Sequence, residues 1–154
     1  MVSKIVIGDC MAFTRLKERR IYEGYTQKEI AELLNVKRAT YAGWETGKDI
    51  IPLKRLFALS NKYNISLDYL TNLTNDDNKF ISKNNKINLK SVSSNLRKVR
   101  LEHNITQKEV AKDINTTQSN IHKYETGKTL ITTMYAIEFS KKYHYSLDKL
   151  LNRK

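Results

Sequence analysis

The 154-residue chain lacks the features that would place it in several large functional classes. It has one cysteine, Cys10, which excludes an intramolecular disulfide. Its three histidines, His103, His122 and His144, are scattered, with no carboxylate cluster around them and no Cys/His spacing of a zinc site. Glycine-rich phosphate loops and nucleophile motifs are missing, so no enzyme activity, metal or cofactor is expected. No apolar run approaches membrane-spanning length, and the opening MVSKIVIGDCMAF lacks the apolar core and cleavage pattern of a signal peptide. No membrane partner is expected, and the location should be cytoplasmic. One proline and few glycines, among long stretches of helix-forming residues, point to an all-α chain.

What the chain does have is positive charge. Lysine and arginine number 28 against 16 acidic residues, a net charge of +12. Such an excess suits a polyanionic partner, and double-stranded DNA leads that list. A merely soluble basic surface would give the same count, so charge alone does not decide.

The chain also repeats itself. Thr26-Gln27-Lys28-Glu29 returns as Thr106-Gln107-Lys108-Glu109, each reading as a capping box at a helix start. In the same register and without a gap, Glu45-Thr46-Gly47-Lys48 falls on Glu125-Thr126-Gly127-Lys128. Ser66-Leu67-Asp68 falls on Ser146-Leu147-Asp148, Leu16 on Leu96, Arg20 on Arg100, and Tyr63 on Tyr143. Roughly a third of positions agree over about sixty residues, a repeat of domain size. The expected organisation is a domain at residues 1–74, a polar Asn- and Lys-rich linker at 75–90, and a second domain at 91–154.

Each repeat reads as five short helices. In the first, a helix spans about residues 9–23 with Leu16 inward, until Gly24 breaks it. A second runs from Gln27 to about Leu34, with Ile30, Leu33 and Leu34 at helical spacing and small Ala31 permitting close approach. Asn35 suits a left-handed turn. A third helix from Lys37 to Glu45 buries Tyr41 and Trp44 and stops at Gly47. Pro52 suits the first turn of a fourth helix, and Ser66 caps a fifth. The second repeat follows suit, with Leu96, Val99, Val110, Ile114, Ile121, Tyr124, Phe139, Leu147 and Leu150 as core candidates. SKIVIG near the start, and KFI and KINL in the linker, have the character of short strands or docking arms.

These motifs together resemble the five-helix DNA-binding domain of the Cro/repressor (XRE-type) helix-turn-helix family, present twice. The resemblance covers nearly everything outside the opening segment and the linker. It departs at Asn35 and Asn115, where the family usually has glycine, and at Asp113, where the first repeat has Leu33. It implies two five-helix repressor-like domains in tandem, with Arg20–Glu45 and Arg100–Glu125 as ion pairs tying the first helix to the third. The second helix is expected to cross the DNA backbone while the third lies in the major groove. Gln27, Lys48, Gln107 and Lys128 are then candidate phosphate contacts, beside helix ends with free amides.

Candidate base-reading residues are those on the third helix turned away from the core. In the first repeat they are Lys37, Arg38, Ala39, Thr40 and Gly43; in the second, Thr117, Gln118, Ser119, Asn120 and Lys123. Arg38 suits guanine, Gln118 suits adenine, and Ala39 or Thr40 suits a thymine methyl. Gly43 would permit close approach to DNA at a cost in helix propensity. Because the faces differ, the two halves should not read the same sequence.

The function expected is a sequence-specific transcriptional regulator, of repressor type. A single-chain pseudo-dimer and a homodimer both stay open. The rival is a phage-type inhibitor or antitoxin, with one domain on DNA and the other on a protein target.

Overall fold

The computed structural model describes residues 14–154, and every regular element among them is helical. Residues 9–13 of the expected first helix, Cys10 and the SKIVIG stretch lie outside the described residues. Tertiary contacts divide the chain into two compact units, one ending at Ile51 and the other running from Pro52 to Lys154.

The first unit holds α1 (Thr14–Tyr22), α2 (Gln27–Leu33) and α3 (Arg38–Thr46). Their apolar faces meet in a small core of Leu16, Ile30, Ala31, Leu34, Tyr41 and Trp44, all buried. Each of the leucine and isoleucine side chains removed from water contributes about 1.5–3 kcal/mol before the entropy of ordering it. Asn35 takes φ 53° and turns the chain from α2 into α3. Gly47 takes φ 75° and ends α3, a conformation that a Cβ would strain.

One expectation fails here. Leu33 is not a core residue but 48% exposed, because two-turn α2 already spends its inward face on Ile30 and Ala31, with Leu34 following at the cap.

The second unit holds α4 (Leu53–Tyr63), α5 (Leu67–Leu70), α6 (Leu89–Glu102), α7 (Gln107–Asp113), α8 (Gln118–Glu125), α9 (Thr133–Tyr143) and α10 (Leu147–Leu150). Pro52 stands one residue earlier than expected, as the extended N-cap of α4 at φ −60° and ψ 142°. The Ser66 and Ser146 hydroxyls cap α5 and α10 by accepting from the Tyr69 and Lys149 amides at 3.0 and 3.3 Å. All nine core candidates of the second repeat are buried. Asp113, the counterpart of Leu33, accepts from the Tyr143 hydroxyl at 2.8 Å and lies 3.7 Å from Lys142 Nζ. Burial, and then that bond, push the Tyr143 phenol well above its ordinary range.

Between α5 and α6 the chain forms no strand. The Phe80 amide donates to the Asn64 carbonyl at 2.8 Å and the Lys83 amide to the Lys154 carbonyl at 3.0 Å, while Asn88 in KINL caps α6. Isolated bonds of this kind anchor a segment without building a ladder.

The short helices α5 and α10 meet through a reciprocal exchange. Asp148 accepts from the Leu67 amide at 2.9 Å and the Asp68 amide at 3.0 Å, at the first turn of α5. Asp68 in turn accepts from the Leu147 amide at 2.7 Å and the Ser146 hydroxyl at 2.5 Å, at the first turn of α10. Each carboxylate therefore satisfies amides that the other helix leaves open. Arg153 completes one side. Its guanidinium bonds Asp148, the Ile65 carbonyl and the Asn61 side chain, and lies over the rings of Phe80 and Phe57.

Candidate nucleic-acid interface

The site is built twice, on α2–α3 and on α7–α8. α2 begins with a complete capping box, in which the Glu29 carboxylate accepts from the Thr26 amide at 2.7 Å and the Thr26 hydroxyl accepts from the Glu29 amide at 3.2 Å. α7 repeats it with Thr106 and Glu109, at 2.6 and 3.2 Å. The Thr26 and Thr106 amides, with their hydroxyls second, hold the Glu29 and Glu109 carboxyls below the usual range.

The expected ion pairs are both present, and they involve a third partner. Arg20 Nε donates to Glu45 Oε1 at 2.6 Å and Nη2 to Oε2 at 3.1 Å, a two-pronged pair joining α1 to α3. Arg20 Nη1 also donates to the Tyr25 carbonyl at 2.7 Å, just before α2. Gln27 Nε2 then donates to Glu45 Oε2 at 3.0 Å, so one carboxylate gathers α1, α2 and α3. In the second repeat Arg100 meets Glu125 at 2.7 and 2.9 Å, and Gln107 joins at 2.9 Å. Burial raises the Glu45 pKa, but the bonds from Arg20 and Gln27 outweigh it and leave the carboxyl below its ordinary range. The bond to Glu125 likewise holds the Arg100 guanidinium above its own. Gln27 and Gln107, expected as phosphate contacts, are thus part of the scaffold, each with one amide hydrogen committed to a glutamate.

The structure sorts the candidate reading residues. Lys37, Arg38, Ala39 and Thr40 are all exposed, on the N-cap and first turn of α3. Gly43 is a correction. It is buried rather than presented for close approach, and a Cβ built on it would lie 2.7 Å from Asp49 Oδ2. The Asp49 amide donates to the Gly43 carbonyl at 3.2 Å, so the loop after α3 folds back over that position. On α8, Gln118, Ser119 and Lys123 are exposed. Thr117 is exposed too, but its hydroxyl caps the helix by accepting from the Asn120 amide at 3.2 Å. Asn120 is half-buried and donates to the Thr116 hydroxyl at 2.9 Å. Lys48 and Lys128 are exposed just beyond their helices, each after a glycine in the left-handed region.

A hydrogen-bonded three-helix tie beneath an exposed helix start is thus present in both copies. The helix-turn-helix family model matches residues 16–70 and again 96–150. The chain belongs to this family. It is 43% identical over 75 residues to the HTH-type transcriptional regulator ImmR of Bacillus subtilis (strain 168), covering 49% of this chain and 55% of that protein. It is 41% identical over 56 residues to the SPbeta prophage-derived uncharacterized HTH-type transcriptional regulator YonR of the same organism, covering 36% and 52%. To the uncharacterized HTH-type transcriptional regulator YobD, also from there, it is 30% identical over 71 residues, covering 46% and 63%. The chain thus spans between about half and just under two thirds of these curated relatives. No solved structure gives a significant match. No helix among the described residues is long and apolar enough to cross a membrane.

Three residues escaped the sequence reading of this helix-turn-helix chain. Asp68 and Asp148 stood in a matched motif, but an acidic residue after a serine cap reads as an ordinary first-turn charge. Arg153, one residue from the end, carried no signal.

Proposed function

We propose that the chain is a sequence-specific DNA-binding transcriptional regulator, a repressor rather than an enzyme, whose two repeats bind double-stranded DNA from one polypeptide. The observation that carries this reading is the duplicated Arg–Glu–Gln tie, which holds helix starts of unlike surface chemistry. A tie conserved in geometry beneath a face varied in sequence is what reading two different half-sites requires. The names of the three relatives, each an HTH-type transcriptional regulator, agree with it. The exchange between Asp68 and Asp148 supports a single-chain arrangement, because it joins matched residues of the two repeats as a symmetric dimer contact would.

The experiment is selection of binding sites from random DNA by the full chain, with light scattering on the complex. One chain per asymmetric site with two unlike halves is the expected result. Two chains on a symmetric site would establish a homodimer. A site with one half only would assign the other repeat to a protein target, the inhibitor or antitoxin alternative.

A further inference from the structure

The exchange between α5 and α10 is symmetric in its aspartates but not in what surrounds them. Asp148 Oδ1 accepts from the Leu67 amide and also from Arg153, a guanidinium that has no exposed side-chain surface. Asp68 Oδ1 accepts from the Leu147 amide, and no basic side chain bonds it among the described residues. In the register of the repeat, the residue that matches Arg153 is Leu73. Beside Asp68 lies a cavity of about 400 Å³, and Leu73 lines it together with Ser140, Lys141, His144 and Ser146. Ser140 is only 4% exposed, and its hydroxyl finds no hydrogen-bond partner among the described residues. Its counterpart Ser60 donates to the Ile65 carbonyl at 2.5 Å, the carbonyl that also receives Arg153 at 3.2 Å.

We propose that this cavity binds a guanidinium group, with Asp68 as its counter-ion and Ser140 as a further polar contact. On the other side of the exchange the chain supplies the same group in cis through Arg153, held there by Asp148, the Ile65 carbonyl and Asn61. A half-buried carboxylate that already accepts amide hydrogens is fixed in direction, so a planar donor fork is favoured over a point-charge ammonium. Lys141 stands at the wall in the register position of Asn61, with its Nζ 3.6 Å from Glu138. Burial, and then the Asp148 charge, push the Asp68 carboxyl above its ordinary range, a strain that a bound cation would relieve. The guanidinium could come from a free small molecule or from an arginine side chain of a peptide.

The test is calorimetric titration of the full chain with methylguanidine, acetyl-arginine-amide and methylammonium, followed by amide chemical shifts in an isotope-labelled sample. The expected result is one saturable site per chain for the guanidinium probes, about tenfold weaker for methylammonium. Shifts should centre on Ser140, His144 and Ser146. Tighter binding of methylguanidine would indicate a free small molecule, and tighter binding of acetyl-arginine-amide a peptide side chain; either supports the site. Asp68→Asn should weaken binding by about tenfold or more. Leu73→Arg should fill the cavity from within, abolishing binding while raising the unfolding temperature. No saturable binding by either guanidinium probe would overturn the proposal. So would shifts centred on Asn61 and Ile65, or binding that survives Asp68→Asn unchanged. Should Leu73→Arg fail to fold, the Asp68→Asn titration and the shift map still decide.

Discussion

Asp68 and Asp148 each cap the helix that the other begins, yet only Asp148 also holds a buried arginine. The two should therefore respond unequally to removal. Asp148→Ala strands the Arg153 charge, whose pKa burial already depresses, and should cost about 3–5 kcal/mol in urea unfolding. Asp68→Ala loses its cap bonds and an unbonded, weaker attraction to Arg153, and should cost less, about 0.5–2 kcal/mol. Acidity gives a second test of Asp68. A carboxyl raised in the folded state stabilises most when protonated, and that contribution declines as pH climbs from its ordinary 3.8 through the raised folded value. Asp68→Asn lacks this decline, so its stability relative to the parent should improve as pH rises over that window. Equal costs for the two alanine variants would refute the unequal roles.

Glu45 has the opposite sign. Its folded carboxyl is depressed, so its stabilisation is complete above its ordinary 4.5 and is lost as pH falls through the lower folded value. Glu45→Gln should leave the buried Arg20 without its charge partner, at about 3–5 kcal/mol near neutral pH, and should flatten the acid limb of the stability curve. Glu125→Gln should cost a similar amount, because the Arg100 side chain at 13% exposure is nearly as covered as that of Arg20 at 10%. Losses under about 0.5 kcal/mol in both variants would show that the tie is not structural.

What could be read from the sequence was whatever depends on neighbours along the chain. Capping boxes at Thr26 and Thr106, left-handed Asn35 and Asn115, and the serine caps all follow from residues at most a few positions apart. The Arg20–Glu45 pair was accessible only through the family resemblance. Asp68 and Asp148 lie 80 residues apart, and nothing local distinguishes a carboxylate that caps its own helix from one that caps another. Leu33 and Gly43 went astray because helical period places a residue on a face without saying what covers that face. Leu33 meets solvent, and Gly43 meets the returning Asp49 loop.

That correction has its own test. The Cβ of Gly43→Ala would approach the end of an exposed, flexible Asp49 side chain, which can rotate away. Stability should then rise by about 0.5–1 kcal/mol, through the reduced freedom of the unfolded chain. Sequence preference on DNA should not change. A loss above about 1 kcal/mol, or an altered preferred base, would put Gly43 back on the reading face.

Lys48 and Lys128 separate positioning from reading. Both are exposed beyond the third helix of their repeat, where a phosphate contact carries no base information. Lys48→Ala and Lys128→Ala should each weaken binding to every DNA sequence alike, and each should lower the salt slope of log K by about one unit. A loss confined to one operator sequence would show a lysine reading bases.

Whether both repeats read DNA turns on Arg38 and Gln118. Both are exposed on the first turn of their helices, and they occupy the same register position. Arginine is a donor fork and matches the two acceptors of guanine, whereas glutamine donates and accepts together and matches adenine. In a selected site, Arg38→Ala should relax preference in one half only and Gln118→Ala in the other, each by about 1–3 kcal/mol for the affected base pair. The half-sites should lie roughly one helical turn apart. The base identities depend on docking angle, but the locality of each loss depends only on which helix carries the residue. Binding to variant sites, measured for each substitution, therefore tests the architecture independently of the code. If Gln118→Ala and Lys123→Ala together change neither affinity nor preference, while Arg38→Ala abolishes both, the second repeat is not a reader. Its exposed α8 face would then belong to a protein partner.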